Sequence, residues 1–344
     1  MHINQKPIKA FIAGIASYLP EKILTNDQLA KEYPDWSVDK IFEKTGIVTR
    51  HIAEQSETCS SMAINAAKKL FIESDILPSD IDYILLCTQS PDYLLPTTAC
   101  IVQNELGVKT SAGALDFNLG CSGYIYGLSM AKALIESFQA KKVLLITSEL
   151  YSRYINDKDK SVRTLFGDAA TATLIDGKPS DENLISSFEF GTDGSGAKNL
   201  IVPHGGSKQP IIPESYIERK FESGNFRAPN NLYMNGAEIL TFTLKSIPKF
   251  VNTILSKSML TTESVDRVVF HQANKFMLDK LRRKIGFSEQ QFLTSYEEYG
   301  NTVSSTIPLG LEKAIKNNEI NQGHKVLLCG FGVGYSWAGC VVEW

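Results

Sequence analysis

Short apolar runs of strand length alternate along the chain with stretches whose apolar residues recur at helical spacing, the pattern of an α/β protein. Residues 10–17 read as a first buried strand, followed by Pro20 and a short helix capped by Thr25 or Asn26. A second helix is predicted over 36–44, stopped by Thr45-Gly46. A third spans 58–74, where Met62, Ile64, Ala67, Leu70 and Phe71 give one apolar face. The continuous apolar run at 81–88 predicts a strand covered on both sides. A helix over 98–106 comes next, and after an intervening strand and helix, residues 142–148 supply another buried strand. A charged loop at 156–160 precedes the segment FGDAATATLID. The stretch 181–245, rich in Gly, Pro and Asn, reads as loops.

The periodicity changes most sharply around Cys121. Leu115, Phe117 and Leu119 alternate as in a strand, whereas Ile125, Leu128, Met130, Ala131 and Leu134 recur as in a helix. The switch falls at Gly120-Cys121-Ser122-Gly123, which places the cysteine at a helix N-terminus. Unpaired amides and the positive end of the helix dipole there favour a thiolate, the form that attacks carbonyl carbon. A free cysteine in such a place also packs as a small hydrophobe.

The order of elements then repeats. Residues 81–86 match 265–270 at an offset of 184, and Lys142-Val143-Leu144-Leu145 returns as Lys325-Val326-Leu327-Leu328 at 183. Between them, Gly120-Cys121 corresponds to Gly300-Asn301 at 180, each ahead of an apolar helix, and Phe166-Gly167 is echoed by Phe331-Gly332. Near-equal offsets in one order predict two copies of an α/β unit about a pseudo-twofold axis, residues 1–178 and 179–344. Parallel sheets place their sites beyond the carboxyl ends of strands, where Cys121, His271 and Asn301 all fall. By itself His271 also reads as a hydrogen-bonded structural group, and Asn301 as a helix cap or turn residue.

Composition narrows the setting. Of 344 residues 43% are hydrophobic, as in packed globular proteins, and a net charge of −3 argues against a nucleic-acid partner. No apolar run is long enough to span a membrane, and the opening MHINQKPIKAFIAGIASYL alternates like a strand, so neither membrane insertion nor a signal peptide is expected. Six scattered cysteines without a CxxC pair suit free thiols in a reducing cytoplasm and offer no metal site.

Seven ordered segments resemble the 3-oxoacyl-(acyl carrier protein) synthase III family of the thiolase superfamily. They are GIASYLPEKILTN, KTGIVTRHIA, GCSG at 120–123, LFGDAATA, HQAN at 271–274, YGNTVSSTIP and the closing GFGVGYSW. The resemblance implies a thiolase-like fold, layered αβαβα, and a Cys-His-Asn site on Cys121, His271 and Asn301. Asparagine at the third position separates it from elongating synthases, which carry a second histidine, and from biosynthetic thiolases, which carry a cysteine. Plant-type polyketide synthases share the triad, but the two N-terminal segments fit the former family better.

The implied reaction is a decarboxylative Claisen condensation. Cys121 takes an acyl group from a CoA or phosphopantetheine thioester, and a malonyl-carrier thioester loses carbon dioxide against His271 and Asn301. A second oxyanion hole is expected from the backbone N–H of Cys121 and one in the Gly332-Val333-Gly334 turn. The alternatives are acyl transfer to an oxygen or nitrogen without decarboxylation, and a silent partner that binds acyl chains. No tightly bound cofactor and no metal are implied, and the family form is a homodimer.

Further roles are implied residue by residue. Asn274 matches the ligand of the pantetheine amide, or starts a helix; Phe331 packs by the cysteine, or serves as core. Leu95 matches a loop that closes the partner's acyl pocket. The family's adenine-stacking tryptophan and arginine fall on Lys40 and Lys160, with Trp36 one turn before Lys40, which implies weaker or different CoA binding. Lys275, Lys280, Arg282, Arg283 and Lys284 form a basic cluster, either a solvated face or a carrier-protein docking surface, on a helix whose Phe276, Met277, Leu281 and Ile285 are expected to face inward. The family's docking arginine falls on Phe276.

Overall fold

The computed structural model describes residues 6–344; the first five residues of the opening segment lie outside them. Two five-stranded sheets carry the fold. The first runs Ile8–Tyr18, Ala169–Pro179, Lys142–Glu149, Tyr83–Cys87, Gly113–Phe117. The second runs Ile185–Thr192, Ser336–Glu343, Lys325–Gly332, Arg267–Phe270, Phe292–Leu293. In both, the first two pairings are antiparallel and the last two parallel. The expected boundary between residues 178 and 179 falls at the end of the strand Ala169–Pro179.

Apolar clusters fill the seams between five layers. Leu128 and Ile135 of the helix Gly123–Glu136 meet Ile307 and Leu311 of the helix Thr306–Lys316 between the sheets, against Leu145 and Leu328. The helices Cys59–Ser74 and Thr98–Leu106 cover the outer face of the first sheet through Met62, Leu70 and Val102. Those at Gly236–Lys257 and Lys275–Ile285 cover the second through Val251, Leu278 and Leu281. Burying each face against a helix layer is what the continuous apolar strands require.

Local signals set the ends. Thr25 caps the helix Asn26–Glu32 in a capping box with Gln28. Ser37 caps Val38–Thr45, which stops at Gly46 in the left-handed region. The expectation of loops over 181–245 fails: Ile185–Thr192 is an edge strand of the second sheet, and the helix Gly236–Lys257 begins inside the stretch. An edge strand covered only in part alternates apolar with polar residues, and ISSFEFGT has no apolar run to mark it.

Candidate active site

Cys121 follows the strand Gly113–Phe117 and stands two residues before the helix Gly123–Glu136. His271 follows Arg267–Phe270 directly, and Asn301 follows the short helix Tyr296–Tyr299 and Gly300. The three side chains line one narrow pocket of about 80 Å³ with Asn274, Phe331 and Gly332. All three catalytic candidates are buried.

Asn301 is held by its backbone as much as by its side chain. Its N–H donates to the Leu165 carbonyl at 2.9 Å, and its carbonyl accepts from Gly167 N–H at 3.1 Å, stitching the second half of the chain to the first. The carboxamide oxygen accepts the Val303 N–H at 3.0 Å, which leaves the NH₂ end as a donor for the pocket. Val303 itself is a β-branched residue at φ +57°, a conformation that surrounding bonds must enforce. The Ser304 hydroxyl supplies one by donating to Glu149 Oε1 at 2.7 Å, and Thr306 Oγ1 supplies another by donating to the Val303 carbonyl at 3.0 Å.

Gly300 must be glycine here. Its φ is +67°, and a Cβ would stand 2.8 Å from the Leu165 carbonyl oxygen that anchors Asn301. Gly300→Ala is therefore expected to lower stability by roughly 1–3 kcal/mol and to depress turnover in the folded fraction. Denaturant melts alongside initial rates check both.

His271 stands edge-on to Phe331, with ring centroids 5.8 Å apart, and its Nδ1 is 2.8 Å from Thr306 Oγ1. Burial pushes its pKa down to about 3, so the imidazole is neutral at physiological pH. The single Thr306 hydroxyl proton has two acceptors, the Val303 carbonyl and Nδ1. When it goes to Nδ1, Nε2 carries the ring proton and is a donor; when it goes to Val303, Nδ1–H donates to Oγ1 and Nε2 is an acceptor.

The expectation of a ready thiolate at Cys121 is corrected. Burial pushes the thiol up to about 12, and the Glu149 charge adds to the rise, outweighing the helix end. The backbone N–H groups of Val333 and Cys121 act the other way and lower it in part. Of the Gly332-Val333-Gly334 turn, Val333 is the residue whose N–H acts on the thiol. Gly332 packs on the cysteine so closely that a Cβ would stand 2.6 Å from Sγ, whereas Gly334 does not line the pocket.

Asn274 starts a helix as the second reading has it, its side chain capping Lys275–Ile285 by accepting from Met277 N–H at 2.9 Å, and it also lines the pocket. Leu95 is 83% exposed on the protomer and away from the pocket. Lys40 and Lys160 lie outside it too, but meet around Trp36, with ammonium groups 5.7 and 5.8 Å from the ring centroid and the unforeseen Lys44 at 5.6 Å.

The basic helix is only partly free. Lys275 pairs with Asp279, Arg282 is mostly covered and pairs with Glu289, and Lys284 donates to the Leu244 carbonyl. Lys280 and Arg283 remain exposed. Phe276 does not face inward as expected but is 50% exposed beneath the Lys280 ammonium, because the buried face of the helix is Met277, Leu278 and Leu281.

Glu149, Ser304 and Thr306 were not anticipated. Glu149 is wholly buried, its pKa raised to about 8 by desolvation, and it also accepts from Gln89 N–H at 3.1 Å. A carboxylate closing the apolar strand KVLLITSE, at the end where parallel strands present their sites, was the available signal.

The family described as 3-oxoacyl-[acyl-carrier-protein (ACP)] synthase III matches residues 115–194, and its C-terminal counterpart matches residues 255–344. The beta-ketoacyl-[acyl-carrier-protein] synthase III of Caldanaerobacter subterraneus is 36% identical over 98% of both chains. A crystal structure described as 3-oxoacyl-(acyl-carrier-protein) synthase III is 50% identical, with a TM-score of 0.96 over 98% of this chain and 100% of that one. A 3-oxoacyl-(acyl-carrier protein) synthase from Burkholderia xenovorans is 34% identical, with a TM-score of 0.89 over 99% and 96%.

Proposed function

The chain belongs to the 3-oxoacyl-(acyl carrier protein) synthase III family, and from that premise we propose that Cys121, His271 and Asn301 divide its condensation reaction between them. The enzyme extends an acyl thioester primer by two carbons taken from malonyl-acyl carrier protein, giving a 3-oxoacyl-acyl carrier protein. The observation that carries the assignment is the convergence of the three side chains on one narrow pocket.

In the first half-reaction the Cys121 sulfur bonds to the primer's carbonyl carbon. Its proton passes by way of neutral Nε2 to the departing thiolate, which leaves as a thiol. In the second, the malonyl carboxylate leaves as carbon dioxide and the electrons of the broken C–C bond pass into the thioester enolate. The enolate oxygen accepts from Asn301 NH₂ and from Nε2–H, the tautomer formed when Thr306 donates to Nδ1. Attack on the acyl-cysteine places negative charge on its carbonyl oxygen, opposite the N–H groups of Cys121 and Val333. Collapse releases the 3-oxoacyl product and a Cys121 thiolate, which takes up one proton. Release of labelled carbon dioxide from a carboxyl-labelled malonyl thioester, dependent on the primer, tests this against acyl transfer without decarboxylation.

Asn274 lines the approach and offers its NH₂ group to a pantetheine amide. Lysines stack on adenine less well than a planar guanidinium, so Lys40 and Lys160 around Trp36 favour a primer delivered on a carrier protein over acyl-CoA. Among the described residues, Lys280 and Arg283 are the cations of the basic helix with neither an ion pair nor a hydrogen bond, and they face an acidic carrier. Two results are expected: a higher kcat/KM for the acyl-carrier primer than for the same acyl-CoA, and a rise of about tenfold in carrier KM when both cations are reversed to glutamate, reduced by salt. A clear preference for acyl-CoA, or unchanged carrier kinetics in K280E/R283E, contradicts this part.

A homodimer and a cytoplasmic setting complete the reading. Among the described residues, the strand Gly113–Phe117 ends the first sheet with an unpaired edge, and Tyr93, Leu94 and Leu95 are 63%, 93% and 83% exposed. All six cysteines are free, which suits a reducing compartment.

A further inference from the structure

Beside the Cys121 pocket lies a second, larger cavity of about 460 Å³. Leu200 lines both cavities, and the Tyr151–Phe166 ring pair, with centroids 5.3 Å apart, stands between them. Gln89 reaches the nucleophile's neighbour: a Cβ on Gly120 would stand 2.6 Å from its Oε1. Val333, whose Cγ1 would stand 2.6 Å from the same Cβ, lines this cavity too. The cavity therefore adjoins the nucleophile's own pocket.

Its lining is mixed in a specific way. Leu200, Val202, Leu232 and Val333 give apolar surface, whereas Gln89, Asn118, Tyr151, Tyr154 and His204 give hydrogen-bonding groups. Gln89 is fixed at every polar atom. Its N–H donates to Glu149, its carbonyl accepts from Tyr154, its Oε1 accepts from the Tyr151 hydroxyl, and its Nε2 donates to Asn118 Oδ1 at 2.9 Å. Among the described residues, this leaves one Gln89 N–H, the Asn118 NH₂ and the Tyr151 oxygen lone pairs for an occupant. Among the described residues, no lysine, arginine, aspartate or glutamate lines the cavity.

A plain alkyl chain laid along this wall would strip water from amide and phenol groups and return no bond. A charged group would be buried without a counter-ion. We propose that the enzyme selects a short acyl primer bearing a hydroxyl group, bonded by Gln89 and Tyr151, over an unsubstituted acyl group of equal carbon count. The inference rests on the condensation reading above and names the substrate class of that site.

The test loads the full-length enzyme with butyryl, 3-hydroxybutyryl and 4-hydroxybutyryl thioesters on the same carrier and compares kcat/KM for acylation of Cys121. At least one hydroxylated primer is expected to exceed butyryl by about tenfold, since a site built for a hydroxyl discriminates against the analogue lacking it. Tyr151→Phe and Gln89→Leu are expected to bring that ratio near one. The ratio is internal to each preparation, and Tyr151→Phe keeps the ring that packs on Phe166, so a folding defect in one variant does not decide the outcome. Butyryl equal to or better than both hydroxylated primers overturns the proposal while leaving condensation intact. Failure of every thioester to acylate Cys121 overturns the condensation reading and this inference with it.

Discussion

Asn301→Ala is expected to uncouple the two half-reactions: Cys121 still takes up the primer at a rate near that of the native enzyme, while decarboxylation of the malonyl thioester falls roughly 100- to 1,000-fold. The asymmetry follows from what the side chain can do. Its oxygen is committed to Val303 N–H, so only its NH₂ end faces the pocket, and the charge that it meets arises on the enolate oxygen as carbon dioxide leaves. His271→Ala is expected to slow both half-reactions, because neutral Nε2 takes part in the first as an acceptor and in the second as a donor. The double variant should lose less than the product of the single losses, since both donors serve one oxygen. Single-turnover acylation and carbon dioxide release, measured separately on each variant, check the pattern. Equal losses in both steps for Asn301→Ala would contradict the assignment.

The second large effect is on the reactivity of Cys121 itself. Burial disfavours the charged form of a thiol, so its pKa rises to about 12 from an ordinary 9.0, and the thiolate fraction near pH 8 falls on the order of a thousandfold. Alkylation of Cys121 by iodoacetamide is accordingly expected to be slow at neutral pH and to climb through the alkaline range with no plateau below about pH 10. A plateau near pH 7 or 8 would mean that the helix end outweighs desolvation after all. The same burial holds His271 neutral down to about pH 3, so loss of activity between pH 7 and 5 should not trace to its protonation.

Much of this arrangement was legible along the chain because it is written in local periodicity. The change from strand to helix spacing at Gly120-Cys121 places the nucleophile, and the near-equal offsets between the halves carry into two sheets of identical pairing order. What was not legible depends on contacts between distant segments. The Ser304–Glu149 bond joins residues 155 apart and bears on a strained Val303 that nothing in the local sequence marks. The Cys121 thiol departs from its helix-end expectation for a related reason: a helix N-terminus is visible in a sequence, but the desolvation that overrides it depends on what packs above the sulfur. Ile185–Thr192 escaped notice because an edge strand need not be apolar, and Phe276 because one residue's rotation about a helix axis decides which side of the buried face it takes.

The account rests on an acyl group carried by one sulfur and discharged by a decarboxylating partner. Intact-protein mass spectrometry with peptide mapping, after exposure to an acyl-carrier primer and then to malonyl-acyl carrier protein, tests this directly. The predicted result is one acyl group per chain on Cys121, none in Cys121→Ala, lost from the native enzyme as 3-oxoacyl product appears and retained by Asn301→Ala. An acyl group on another residue, or one that malonyl-acyl carrier protein fails to discharge from the native enzyme, would contradict it.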